Sequence, residues 1–468
     1  MVSNILSVPG YTSWRGEEMT DQQICAIFDG AGDFIRRELN CGGLTIYAYF
    51  IDGLTAGGEI AEYVFKPLYE NGAESMDAFY QQSLAGAVYS CTAAACTDAN
   101  DAARKLVNGF CVVLFPGAGA IAYEVKTPVR RSPAPPQVEN TVKGAKDAFV
   151  ESMRVNTSLL RRHLRAPELR MYQTAVGKRS QTNVSILYME GVTDPALVER
   201  MKHRLKSIQV DGFCSPAAVE ESVTGSRRTA FPLLQYTERT DRFAQGLMEG
   251  RVGLIVDGLP LGYLAPVDLG YFMESPEDRG RDYISASAVR ILRWIALVTG
   301  LLLPGVYIAL VSFHPSLIPQ SLQTVIMNNR EAVPVSAAAE VLGLLIAFEL
   351  LQESGIHLPQ AVGQSVSIIG GIVMGTAAVE AGLISSMALI GVSVAGICGF
   401  VQPNRDLATA CRVWRFLIAA VSAVAGLLGT AVMTVALLIH LARLKSMGEP
   451  YLYIKGSLLR RRLKDEKD

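Results

Sequence analysis

The sequence predicts an α/β N-terminal soluble region of two related subdomains, followed by an all-α multi-pass transmembrane bundle. The first observation is the distribution of charge, because nearly all charged residues lie before Arg293 or after Leu441. The second is a set of apolar segments between these positions, several of them long enough to cross a hydrocarbon layer of about 30 Å. The third is that the earlier region alternates short β-type runs with helical stretches, as α/β domains do.

Two units of similar pattern make up the N-terminal region. In the first, Leu44–Ile51 and Val107–Phe115 read as strands, and Ala120–Val125 is the hairpin partner of the second strand. In the other, Val184–Met189 reads as a strand and Asp194 caps the helix that follows. The later segment LMEGRVGLIVDGLPLGYLAPV matches LVNGFCVVLFPGAGAIAYEV, since each has a glycine, an apolar strand, a Gly-containing turn and a second strand. This match predicts two related subdomains.

A Pro-rich segment, TPVRRSPAPP at 127–136, marks the boundary between these units. The next stretch, Glu139–Arg170, reads as strongly helical and is basic on several turns. A solvated helix face is the commoner explanation, and contact with anionic lipid or a partner subunit is the alternative. The predicted organisation is an N-terminal tail at 1–24, subdomains at 25–130 and 131–275, a transmembrane domain at 276–445 and a basic cytoplasmic tail at 446–468.

The transmembrane domain contains four to five apolar segments, near 291–313, 337–353, 362–381, 383–401 and 414–442. A polar loop is expected at Gln320–Pro334, after the first segment. Basic residues flank both ends of the domain, so the positive-inside rule places both ends in the cytoplasm and requires an even number of crossings. The segment Ala337–Leu351 is short and acidic, and a re-entrant or interfacial helix there would restore an even number.

Carboxylates inside these apolar segments are the candidate functional residues. An ionisable group in a membrane is costly unless it faces protein or water. Glu349 and Glu353 are four residues apart and share one helix face, whereas Glu340 lies nearly opposite and Glu380 is near the end of its segment. Either they line a wet cavity or cation path, or they are snorkelling or protonated acids. Glu349 and Glu353 are the first candidates for a path.

Small residues four apart predict close helix packing in the same domain. The two pairs are Gly371 with Gly375, and Ala425 with Gly429. Such pairs let helix backbones approach closely, within one chain or between chains. A high glycine content is also ordinary for membrane helices.

Several function classes are excluded by composition and motif. Lys and Arg number 43 against 44 for Asp and Glu, without the basic excess of a nucleic-acid binder. No P-loop, HExxH or nucleophile elbow occurs, and the eight cysteines form no CxxC pair, so we expect no enzyme, cofactor or metal site. The start, MVSNILSVPGYTSW, lacks the features of a signal peptide, which predicts a cytoplasmic N-terminal domain.

Four long segments of the chain carry a resemblance to a known family. They are KGAKDAFVESMRVNTSLLRRHLRAPELRMYQTAVGKRSQTNVSILYMEGV, TERTDRFAQGLMEGRVGLIVDGLPLGYLAPVDL, the membrane part from HPSLIPQSL to VEAGLISS, and HLARLKSMGEPYL. Together they resemble the A subunit of GerA-type nutrient germinant receptors of endospore-forming bacteria. The resemblance covers about residues 25–453. Two places depart from the family: SPEDRGRDYI stands where an Asp-Tyr-Tyr is usual, and Thr240 stands where proline is usual.

The resemblance implies a multi-pass subunit of the spore inner membrane with a cytoplasmic N-terminal domain. It implies a B-type, transporter-like partner that binds the nutrient and a C-type lipoprotein partner. It also implies a homo-oligomer that conducts ions and converts nutrient binding into cation release. The alternatives are an A-type subunit that accompanies the dipicolinate-release channel, a transporter or permease, and a structural scaffold.

Overall fold

The computed structural model describes residues 19–89, 92–126, 136, 139, 141, 143–208, 210–213, 215–225, 229–357 and 375–452. Two compact units divide the chain. The first comprises residues 1–225 and 234–266, and the second comprises 226–233 and 267–468.

The first unit begins with a five-stranded antiparallel sheet. Its strands are β1 Phe34–Cys41, β2 Leu44–Ile51, β3 Ala93–Cys96, β4 Phe110–Phe115 and β5 Gly119–Glu124, in the order β1-β2-β4-β5-β3. The two-residue turn between β1 and β2 is Gly42-Gly43, and both residues have positive φ, as a tight hairpin turn requires. The predicted strand at Val107 begins instead at Phe110, because Gly109 turns the chain at a φ of +85°.

Both faces of this sheet are buried. The helices of the region are α1 Asp21–Ile27, α2 Gly57–Ile60, α3 Lys66–Glu70, α4 Met76–Gln82 and α5 Ala99–Val107. In β4, Val112 and Leu114 pack in one apolar cluster with residues of α1 and α5. Cys111, Val113 and Phe115 pack in another with residues of α2, α3 and α4. Alternate residues of the strand therefore serve two cores.

A second five-stranded antiparallel sheet repeats this plan. Its strands are β6 Leu169–Val176, β7 Thr182–Met189, β8 Gln235–Thr237, β9 Val252–Val256 and β10 Gly262–Ala265, and its helices are α6 Met153–His163, α7 Pro195–Ser207, α8 Pro216–Thr224 and α9 Thr240–Met248. The order is β6-β7-β9-β10-β8, the same as in the first sheet position by position. In each sheet one helix precedes the first strand and another joins the third strand to the fourth. The predicted pair of related subdomains is confirmed.

The stretch Glu139–Arg170 was predicted as one helix, and this is wrong for most of its length. Among the described residues of this stretch, Met153–His163 is the one helix. Residues 143–150 are non-helical, and Ala148 forms a bridge with Arg239 in the chain that follows β8. Its basic residues also differ in role, since Arg154 is exposed whereas Arg161 is buried.

Arg161 joins the two sheets through a buried ion pair. Its guanidinium donates to both carboxylate oxygens of Asp33, at 2.8 and 2.9 Å, and to the carbonyl of Leu169 at 2.9 Å. Close by, the Gly32 amide donates to the Met171 carbonyl at 2.9 Å. A Cβ on Gly32 would lie 2.7 Å from that oxygen, so only glycine permits this approach.

The second unit is mainly helical. Its elements are α10 Leu269–Phe272, α11 Tyr283–Phe313, α12 Gln320–Arg330, α13 Ala337–His357, α14 Ser386–Phe400, α15 Arg405–Arg443, and the short strands β11 Lys445–Ser446 and β12 Glu449–Pro450. In the described part of the chain, α11 and α15 are long and apolar enough to cross a membrane, and α14 is a shorter apolar helix. The predicted segment near 362–381 lies mostly outside the described residues. The loop predicted at Gln320–Pro334 is wrong, because α12 occupies it.

Helix α15 reverses direction at Gly426. This residue has φ +60° and ψ −142°, which are not helical angles. The rings of Trp414 and His440 lie 5.5 Å apart, whereas 26 residues of straight helix would separate them by about 39 Å. The hydroxyls of Ser422 and Thr430 are 2.7 Å apart on either side of the reversal. The element is therefore two antiparallel arms, 405–425 and 427–443.

Contacts along the helices give their directions. Near the start of α11, the Arg293 carbonyl accepts from Gln402, just before α15, at 3.4 Å. Further along α11, a Cβ on Gly305 would lie 2.9 Å from Ser422 Oγ in α15. Early residues of one helix meet early residues of the other and later residues meet later ones, so α11 runs parallel to the first arm of α15. Ser385, next to the start of α14, contacts Glu340 in the first turn of α13. Phe348 further along α13 fills the space beside Gly396, so α13 and α14 are also parallel.

Candidate functional site

Glu340 is buried at the first turn of α13. Its carboxylate accepts a hydrogen bond from Arg330 Nη1 at 3.1 Å and another from the backbone amide of Ser385. The residue is 3% exposed. These two hydrogen bonds join α13 to α12 and to the start of α14. The N-terminus of a helix also favours a negative charge, which stabilises the carboxylate at this position.

Glu349 is in an ion pair with a residue of α15. Arg412 Nη1 lies 2.8 Å from Glu349 Oε1, and the same guanidinium donates to Thr409 Oγ1 at 2.7 Å and to the side chain of Gln352. The Glu349 side chain is 49% exposed. Glu340 and Glu349 are separated by about 13 Å along the axis, so they form two places and not one site.

The other two predicted carboxylates are exposed. Glu353 lies one turn beyond Glu349 on the same face of α13, and Glu380 is in a helical segment that is described from residue 375. The structure therefore brings Glu349 and Glu353 together, and places Glu340 and Glu380 elsewhere. Among the residues that the structure describes, no group of three or more His, Cys, Asp or Glu side chains could hold a metal ion.

The small residues lie in different settings. Gly371 is outside the described residues. A Cβ on Gly375 would meet Leu389 at 3.4 Å, an ordinary contact. Gly429 is buried at the reversal of α15, where its Cβ would lie 2.7 Å from the Val421 carbonyl and 3.0 Å from Ala425 Cβ. Ala425 and Gly429 thus stand at a close approach between two arms of one chain.

Sequence reasoning missed the arginine partners of the carboxylates. Arg330 was placed in a polar loop, and Arg412 is 63 residues from Glu349. An unpaired carboxylate in an apolar helix has a high free energy, so the sequence does predict a cationic partner near each one. It does not indicate which residue that partner is.

A third charged cluster precedes α11 and was also missed. Asp278 is fully buried, and its carboxylate receives bidentate hydrogen bonds from Arg293 at 2.6 and 2.8 Å. Arg290 Nε lies 3.5 Å from the same carboxylate and Arg290 Nη1 lies 3.1 Å from Glu274. Burial alone would raise the pKa of Asp278, but the hydrogen bonds and charge of Arg293 outweigh it, so the pKa lies below its ordinary value. Arg290 and Arg293, two of the basic residues at the start of the predicted transmembrane domain, are thus engaged within the chain.

Glu340→Ala is expected to destabilise the helical unit by about 1–3 kcal/mol, because it leaves the buried Ser385 amide and Arg330 without their acceptor. The measurement is thermal unfolding of the detergent-solubilised chain, together with its abundance in membranes. Glu380→Ala is the matched control, since that side chain is exposed. Equal melting temperatures for the two variants would contradict a structural role for Glu340.

Comparison with known proteins identifies the family. The family model described as Bacillus/Clostridium GerA spore germination protein matches residues 22–466. The chain belongs to the GerA family. The uncharacterized membrane protein YfkQ of Bacillus subtilis is 32% identical over 433 residues, which are 92% of this chain and 84% of that protein.

Other GerA relatives are named for germination. Spore germination protein A1 of Bacillus subtilis is 37% identical over 355 residues, 75% of this chain and 73% of that protein. Among solved structures, the N-terminal domain of the A subunit of the Bacillus megaterium spore germinant receptor GerK3 is similar at a TM-score of 0.43 and 23% identity, over 53% of this chain and 96% of that chain.

Proposed function

We propose that this GerA-family chain is the membrane subunit of a spore germinant receptor that converts nutrient binding into cation release. The family membership supports a germination role. The single observation that carries the ion path is the pair of exposed carboxylates, Glu349 and Glu353, on one face of α13. Such a group is unfavourable against lipid, so this face of α13 is expected to meet water or another chain.

Burial and pairing distinguish the carboxylates as candidates for this path. Glu340 is enclosed by Arg330 and Ser385, which suits a structural role. Glu349 is half exposed and its charge is balanced by Arg412. Glu349 and Glu353, which are both exposed, are therefore the candidates for carboxylates that attract cations in a path formed by several copies of the chain.

Placement in a membrane is supported by exposed apolar side chains on both long helices. In α11, Leu292 and Ile295 are 57% and 58% exposed, and in α15 Val424 and Leu428 are 81% and 71% exposed. Lipid satisfies such surfaces. The chain that precedes α11 contacts the chain that follows α15, because the Leu269 amide donates to the Tyr451 carbonyl at 2.9 Å. This contact favours an even number of crossings with both ends on the cytoplasmic side of the spore inner membrane.

The remaining parts of the proposal rest on the family. They are a B-type, transporter-like subunit that binds the nutrient, a C-type lipoprotein, assembly into a homo-oligomer, and the absence of enzymatic activity. The domain boundaries at 24, 130, 275 and 445 also stay part of the proposal.

The test is Glu353→Gln in the full-length chain, produced with its partner subunits in spores that lack other germinant receptors. Potassium release and dipicolinate release are followed separately after addition of single amino acids, sugars or nucleosides. We expect potassium release to slow about tenfold, which corresponds to about 1.4 kcal/mol, because the carboxylate no longer attracts the cation.

Glu331→Gln is the control, as an exposed carboxylate outside α13. Normal potassium release by Glu353→Gln at normal abundance would rule out the path through this residue. Normal potassium release with delayed dipicolinate release would instead favour a subunit that accompanies the dipicolinate channel.

A further inference from the structure

The chain that follows α15 forms a small hairpin with an unusual set of buried contacts. Strands β11 and β12 pair antiparallel, with Ser446 opposite Glu449. Ser446 and Tyr451 are both 0% exposed, although they follow the last long apolar helix by only a few residues. These residues belong to the segment HLARLKSMGEPYL, whose role the ion path leaves unexplained.

One hydroxyl of this hairpin connects two distant parts of the chain. Ser446 Oγ donates to the Leu233 carbonyl at 2.7 Å and accepts from the Val267 amide at 3.0 Å. Leu233 lies two residues before β8, and Val267 lies two residues after β10. Leu233, Val267 and Ser446 all belong to the second unit, so this hydroxyl joins three segments of that unit that are far apart in the sequence.

Tyr451 and the end of α15 contact the same two segments. The Tyr451 carbonyl accepts from the Leu269 amide at 2.9 Å, and its ring lies 6.3 Å from Phe231 and 6.1 Å from Phe272. His440 Nε2 in the second arm of α15 lies 3.0 Å from Thr229 Oγ1. The His440 ring is 6.1 Å from Phe231 and 5.5 Å from Trp414 in the first arm.

We propose that this C-terminal hairpin sets the position of the second arm of α15, because it fixes that arm against the segments 229–233 and 267–272 of the same unit. The segments beside β8 and β10 are held by Ser446 and Tyr451, and a displacement of either segment must move the hairpin or break buried hydrogen bonds. The hairpin is joined directly to the second arm of α15, whose His440 contacts the first arm. Ser446 is therefore a positioning residue, which acts on the path through α15.

This inference rests on the proposed function, and its test separates the two. Ser446→Ala removes one buried oxygen and leaves the Leu233 carbonyl and the Val267 amide without their partner. Hydrogen exchange of the detergent-solubilised full-length chain measures whether the hairpin still holds its neighbouring segments. Potassium release from spores measures the coupling of the hairpin to the ion path. We expect the amides of Val267 and Leu269 to exchange about tenfold faster in the variant, and nutrient-triggered release to slow about tenfold at normal abundance.

Two further variants make the result decisive. Lys445→Ala changes the neighbouring, exposed side chain of the same hairpin and should resemble the wild type in both measurements. Thr229→Val breaks the contact with His440 at a separate point and should also slow release. Faster exchange in Ser446→Ala with undiminished release would overturn the coupling and leave the receptor function standing. A wild-type chain that gives no nutrient response would instead overturn the receptor function.

Discussion

Asp278→Ala will destabilise the full-length chain in detergent by about 3–5 kcal/mol, because it leaves two buried guanidiniums without their shared carboxylate. Asp278 is fully buried, and Arg290 and Arg293 are 3% and 7% exposed, so little water can replace the lost charge. The Ser275 amide, which donates to Asp278 at 3.1 Å, also loses its acceptor at the turn that precedes α11. Denaturant unfolding measures the change.

The matched variants separate charge from packing. Asp278→Asn keeps the size of the side chain and should lose less stability than Asp278→Ala. The double variant Asp278→Ala with Arg293→Met should lose less than the two single variants together, because it removes both members of the bidentate pair. Additive losses would show that the pair contributes little. Since the folded pKa of Asp278 is depressed, its contribution is present above its ordinary value of 3.8 and is lost only as pH falls below that value.

Gly426→Ala is expected to destabilise the reversal of α15. The φ of +60° with ψ of −142° is open to glycine and costs other residues about 1–3 kcal/mol. The added Cβ would also lie 3.0–3.2 Å from the side chain of Phe313 in α11. We expect a lower melting temperature and a larger distance between spin labels placed at Trp414 and His440.

Gly399→Ala in α14 is the control for this prediction. No atom lies within 4 Å of the Cβ that this change would add, and alanine favours a helix over glycine by about 1 kcal/mol. The two Gly-to-Ala changes should therefore shift the melting temperature in opposite directions. The same sign for both would argue against the reversal.

The duplicated sheets could be predicted from sequence because strand and turn chemistry are local. The match between the segments around Val113 and Leu254 predicted the β4–β5 and β9–β10 hairpins. Such hairpins can be recognised because the glycine turn and the two apolar strands are adjacent in the sequence. The residues 143–150 were misassigned because their partner is the chain near Arg239, far along the sequence. Helical composition alone could not reveal that pairing.

The helical unit was less predictable, for a different physical reason. Hydropathy depends on composition and carries no information on the direction of the chain. It therefore predicts one apolar segment at 414–442, although Gly426 reverses the helix there. The carboxylates of α13 were found from their cost in an apolar segment. Their arginine partners depend on how α12, α13 and α15 pack, which the sequence pattern does not encode.

The buried pair of Arg161 and Asp33, with the close approach of Gly32 to Met171, has a mechanical consequence for the first unit. Separating the two sheets would break the buried ion pair and several hydrogen bonds at once. The contact between the two sheets therefore resists a hinge motion of one sheet relative to the other. We therefore expect the two sheets of the first unit to keep one arrangement when a partner binds either of them.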